Sequence, residues 1–237
     1  MDRTEAFAAL DVWAYLTAMV AVIVSMCLSA AVKRTFNKYR NDIISSGMSG
    51  GDIAQQILAA AGIHDVLVMV SPSAAPDYYD RKRRVLWLSE PVAYGHSISD
   101  IAAAAYECGH AIQHHEGYRL FSFRNIMAPV AKGCLLGGIV VFLFGFALSG
   151  LWKPGAIMIG AALLFYIITS PVAFDASKRA LAILENGRLI RYDEVQRTKI
   201  VLRAAALAYS ANTLESILDS LSRVSYGNTD SDTNPFM

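Results

Sequence analysis

Charge is the first thing this 237-residue chain has little of. Asp, Glu, Lys and Arg make up 17% of it, where a soluble domain carries about 25%. The net charge is only +1. A general nucleic-acid binder needs a basic surface to neutralise phosphates, so nucleic acid is excluded as a partner. Cysteine is scarce too. Cys27, Cys108 and Cys134 cannot build a disulfide framework, and no zinc-ribbon or redox CxxC spacing occurs. Apolar residues fill the space, at 54% with a mean hydropathy of +0.37. Their excess is concentrated in three segments.

Val12 to Val32 contains no charged residue and is bounded by Asp11 and by Lys33-Arg34. It meets the roughly 20 residues that a helix needs to cross hydrocarbon. A signal peptide fits less well, because the leader MDRTEAFAALD is not basic and the apolar run is too long. A retained anchor over residues 1–32 is therefore expected. Gly133 to Leu151 forms the second predicted span and Pro154 to Phe174 the third. Only Trp152 and Lys153 separate them, which predicts a helical hairpin over 133–174 with a tight turn at Lys153-Pro154-Gly155. Gly133-Gly137 and Ala156-Gly160 have the small-xxx-small spacing that lets helices approach, although glycine is common in membrane helices generally.

Lys33, Arg34, Lys38 and Arg40 follow the first span, and Lys178, Arg179, Arg188 and Arg191 follow the third. The other side offers Arg3 and Lys153. By the positive-inside rule the amino terminus and hairpin tip face outward, and residues 33–132 and 175–237 face the cytoplasm. The expected location is the cell membrane, with the lipid bilayer as a partner.

In the first cytoplasmic stretch, SGGDIAQQILAAAGI has a capping Ser49, Asp52 in the first turn and a stop at Gly62. Ile53, Ile57, Leu58 and Ala61 share one face, so residues 50–61 read as an amphipathic helix. Val66 to Val70 and Val85 to Leu88 are strand candidates, with a turn at Asp80-Arg81-Lys82-Arg83 before the second. Arg81 to Arg84 could touch phosphate or lipid headgroups; a solvated turn near the membrane is the plainer reading. Ser97 or Ser99 then caps the alanine-rich helix SISDIAAAAYECGHAIQHHEG, which ends near Gly117. It holds the only concentrated chemistry: Tyr106, Glu107, Cys108, His110, His114 and His115. A zincin helix places two histidines at i and i+4, with a glutamate after the first as general base. Glu107 and His110 keep the second half of that frame. Tyr106 stands where the first histidine would be, and a phenol is a weak zinc ligand at neutral pH.

These blocks resemble the YugP-type neutral zinc metallopeptidases, bacterial membrane proteins with an HE(V/C)GHAxQH helix. The resemblance runs over nearly all of residues 25–210. It takes in FNKYRND, SSGMSGGDIAQQIL, DYYDRKRRVLWLSEPVAYGHSI, YECGHAIQHHEGY, SPVAFDASKRALAIL and VLRAAALAY, in order. It implies a zincin-like cytoplasmic domain beside a membrane hairpin, a zinc cofactor and ancestral peptide-bond hydrolysis.

It also marks departures. The family's first histidine ligand corresponds to Tyr106, its glutamate in the block resembling PVEFDAS to Ala173, and a histidine of its DHYD block to Tyr78. Glu107 and His110 survive. His110 and His114 could hold a metal in a different register, with Asp175 reaching in. Otherwise Glu107 is a buried carboxyl hydrogen-bonded by Tyr106 or Tyr78, and Cys108 is packing. Catalytic zinc takes three protein ligands, so tight zinc binding is not expected. The expected function is a pseudopeptidase acting as a binding or assembly partner of a protein or peptide. The alternatives are an active metallopeptidase with altered ligands, with Glu107 as its base, and a purely structural membrane subunit.

The expected fold class is mainly α with a small β element, a zincin-like domain combined with three transmembrane helices. Residues 175–224 complete the domain. Within them Leu207, Leu214, Ile217, Leu218, Leu221 and Val224 stripe an amphipathic helix. Residues 225–237 are expected to be a disordered tail.

Overall fold

The computed structural model describes residues 23, 26–71, 76–145 and 152–207. In chain order these form α1 (26–39), α2 (Gly50–Ala60), β1 (Leu67–Val70), β2 (Tyr78–Asp80), β3 (Val85–Leu88), α3 (Glu90–Tyr94), α4 (Ile98–His115), α5 (Arg119–Phe144), α6 (Trp152–Asn186) and α7 (192–207). The fold is mainly helical with one small sheet. Most of the predicted span Val12–Val32 lies outside the described residues. So do the amphipathic stripe beyond Leu207 and the tail over 225–237.

Two helices begin with the same device. Ser49 and Ser97 each accept from the backbone N–H three residues on, and Asp52 and Asp100 reach back to the cap N–H. Each pair satisfies two donors that a helix start leaves open. This decides between the two candidate caps of α4. Ser99 instead donates its hydroxyl to the Phe36 carbonyl at 2.6 Å, tying α4 to α1.

The sheet has the order β1-β3-β2, with β1 parallel and β2 antiparallel to β3. β2 was not anticipated, because Tyr78-Tyr79-Asp80 lacks an apolar alternation. It forms by pairing Tyr79 with Leu86 and Tyr78 with Trp87. The Asp80 carboxylate accepts from the N–H groups of Lys82 and Arg83, closing the turn into β3.

Helix α4 occupies the middle of the core. Around it pack Ile53 and Ile57 of α2, Leu86 and Leu88 of β3, Ala176, Ala180 and Leu184 of α6, and Leu202 of α7. The alanines of α4 permit close approach, and Gly109 is the tightest point. A Cβ there would lie 2.3 Å from the Ala176 carbonyl oxygen. That contact holds the end of the third predicted span against the chemistry-bearing helix.

Two described helices, Arg119–Phe142 and Trp152–Asn186, are long and apolar enough to cross a membrane, where the sequence predicted three spans. Only 17% and 22% of their most apolar windows is buried inside the protein, so most of that surface needs another apolar medium. The helix holding the second span starts at Arg119 rather than Gly133, and the helix holding the third runs on to Asn186. The expected turn at Lys153-Pro154-Gly155 is instead the first turn of α6. Proline is tolerated there because the first helical N–H groups have no partner to lose. The close approach is also shifted from the small-xxx-small pairs. Gly133 and Gly160 have nothing near them, whereas Gly138 and Gly155 bring the two backbones together.

Candidate functional site

Glu107, His110 and His114 share one face of α4 because they lie three and four residues apart. His110 is buried. Its ring meets the Tyr106 ring edge-on at 4.8 Å and stacks on Phe121 at 5.6 Å. Its Nδ1 lies 2.9 Å from Gln113 Oε1. The Gln113 amide donates to the Val172 carbonyl at 2.8 Å and to Asp175 at 2.7 Å. That orients the amide, so Oε1 is an acceptor and Nδ1 carries the proton. Burial, reinforced by nearby Arg124 and opposed by the Gln113 bond, pulls the His110 pKa down to about 3. The ring is neutral at pH 7.

Glu107 is enclosed at its carboxyl group. Oε2 accepts from the Tyr79 backbone N–H at 3.0 Å. Burial, reinforced by Asp77, outweighs Arg124 and the Tyr79 N–H and pushes its pKa up to about 8. Glu107 is therefore mostly protonated at pH 7, and it satisfies a donor of the edge strand β2. The hydroxyl of Tyr79 meets His114 Nδ1 at 2.9 Å. Burial raises the Tyr79 pKa to about 12 and also lowers that of His114, where Arg84 and Arg81 add to the effect. Tyr79 thus stays a phenol.

The structure brings together Glu107, His110, His114 and Tyr106, with Ala173 close by. Ala173 is 1% exposed, one turn before the Ala176 contact with Gly109. Asp175 faces the site through Gln113, and its carboxylate also pairs with Arg179 at 2.5 Å. Tyr78 is not among them. It is 43% exposed, and alternation along the strand sends it to the opposite face from Tyr79. Cys108 is fully buried, donating to the Ala54 carbonyl at 3.7 Å, which makes it a packing residue. Sequence reasoning missed Tyr79, Gln113, Phe121 and Arg124. Gln113 had a signal, three residues after His110 on the same face. The others reach the site only through the fold.

A family described as "Putative neutral zinc metallopeptidase" matches residues 14–226. The chain belongs to that neutral zinc metallopeptidase family. It is 41% identical over 192 residues to "Putative membrane protease YugP" of Bacillus subtilis (strain 168), covering 80% of this chain and 85% of that protein. No solved structure matches the chain. A relative named as a membrane protease and two apolar helices together place this member of the family in association with a membrane.

Zinc is the group the family name implies. Among the described residues no three of His, Cys, Asp or Glu come together as a metal site. His110 keeps a free Nε2 lone pair, but Tyr106 presents a phenol and Ala173 a methyl, and the Tyr79 hydroxyl orients His114 through Nδ1. That donor set does not fit a three-ligand catalytic zinc.

Proposed function

We propose that this member of the neutral zinc metallopeptidase family is a pseudopeptidase, a membrane protein that keeps the peptidase framework and acts as a binding or assembly partner. One observation carries the reading. Tyr106 and Ala173, where the family resemblance puts two metal ligands, offer a phenol and a methyl, while Glu107, at the general-base position, accepts from the Tyr79 N–H of β2. A general base must be ionised and within reach of the water it activates. The substitutions at Tyr106 and Ala173 remove the donors that would hold such a water on a metal. Beside Tyr106 and Ala173, Glu107 is tied to the Tyr79 N–H and His110 to Gln113. The arrangement has the main domain on the cytoplasmic side, following the distribution of Lys and Arg.

The test is a back-substitution. Tyr106→His with Ala173→Glu in the full chain should gain stoichiometric zinc and measurable proteolysis, while the natural chain shows neither. Equal proteolysis by both chains would overturn the proposal.

One feature favours the second reading, an active peptidase with altered ligands. The Gln113 bond leaves the His110 Nε2 lone pair open. On that reading Glu107→Gln abolishes proteolysis that the natural chain already has.

A further inference from the structure

We propose that the turn between β2 and β3 is an anionic-lipid site, binding a phospholipid headgroup while the acyl chains lie along α5. The turn carries Arg81, Lys82, Arg83 and Arg84 in succession. Two of these are engaged. Arg83 sits 3.9 Å from Asp80, and Arg84 pairs with Asp65. Among the described residues Arg81 and Lys82 have no salt bridge, and Lys82 is exposed.

What makes the turn more than a solvated loop is where it sits. A shallow, open depression of about 480 Å³ is lined by Tyr78, Tyr79, Asp80, Arg81 and Lys82 on one side and by Asn125 and Ile126 of α5 on the other. Ile126 belongs to an exposed apolar stripe with Phe123 and Val130, spaced as one face of the helix. Phe123 lies 6.1 Å from Phe165 of α6, close to exposed Ile167 and Ile168. The apolar band of both helices thus begins at the level of the turn. A phospholipid has this same sequence of properties: a negative phosphate joined to long apolar chains. Half-exposed Tyr78 sits between the two zones, where amphipathic rings gather in membrane proteins. A free phosphate would satisfy Arg81 and Lys82 but leave the stripe uncovered.

The test uses native mass spectrometry of the purified full chain in mixed micelles of phosphatidylglycerol and phosphatidylcholine. Retention of phosphatidylglycerol is expected to exceed that of phosphatidylcholine. Arg81→Gln with Lys82→Gln should cut that preference on the order of tenfold. Arg188→Gln with Arg191→Gln, outside the β2–β3 turn, should leave it intact. In the natural chain, independent of any variant's folding, high salt should erode the preference, and inorganic phosphate at the same ionic strength should displace no more lipid than chloride. Equal retention of the two lipids, or a preference that survives loss of Arg81 and Lys82, overturns the proposal. So does specific displacement by phosphate.

Discussion

Helix α4 and the α5–α6 hairpin solve the same problem, burying apolar helices, in opposite ways. α4 is surrounded by protein on nearly every side, and its polar groups have protein partners: Glu107 with Tyr79, His110 with Gln113, His114 with Tyr79. The hairpin leaves Ile126, Val130, Ile157, Leu164 and Ile167 exposed and relies on the surrounding medium to cover them. Specificity therefore concentrates in α4, where any altered atom meets a fixed neighbour. The hairpin tolerates change except where Gly138 and Gly155 bring its backbones together.

The largest expected break in that contrast is Gly109→Ala. Its new methyl would meet the backbone of Ala176, costing about 3 kcal/mol. Gly133→Ala, on a hairpin helix with open space, should stay within about 0.5 kcal/mol. Thermal unfolding in detergent compares the two.

Next comes Glu107→Gln. The folded pKa of about 8 lies above the usual 4.5. The native state then holds a proton that the unfolded chain has released, and stability falls as pH rises through that window. His110 acts oppositely. Its pKa of about 3, below the usual 6.5, costs stability as pH falls through that range. The two slopes cancel between about 4.5 and 6.5, leaving a plateau with a fall above it. Glu107→Gln should remove the fall and leave the His110 rise uncancelled between about 4.5 and 6.5, gaining about 4 kcal/mol at pH 8 relative to the natural chain. A parallel pH profile for both chains would mean that Glu107 is ionised in the folded state.

Gln113→Leu should cost about 2 kcal/mol, since it strands the His110 N–H and removes the link to Asp175. Urea titration of the detergent-solubilised chain would measure it. The smallest effect is expected at the caps. Ser97→Ala should lose about 1 kcal/mol from α4. The α5 cap Tyr118 makes no side-chain cap bond, so Tyr118→Phe should lose nothing there.

The same contrast explains what was legible beforehand. The caps, α2, α4, β1 and β3 announce themselves through local chemistry, Ser-x-x-Asp pairs and apolar runs. The frame at Tyr106, Glu107 and His110 is local too, within one helical turn. β2 was hidden because its pairing depends on β3 rather than on its own pattern. Tyr78 came from the family's DHYD block, and its exposed side of β2 could not be read without the strand. Hydropathy marks an apolar stretch, while α5 starts before the second predicted span and α6 runs on past the third as helices. Phe121 and Arg124 join the site only through tertiary packing.

The proposed reading is that α4 carries a peptidase frame without a full set of metal ligands. Elemental analysis of the purified full chain, after equilibration with zinc and removal of the excess, tests it directly. The account predicts far less than one zinc per chain, with Tyr106→His plus Ala173→Glu raising it to one. One tightly held zinc per natural chain, lost in His110→Ala, would contradict it.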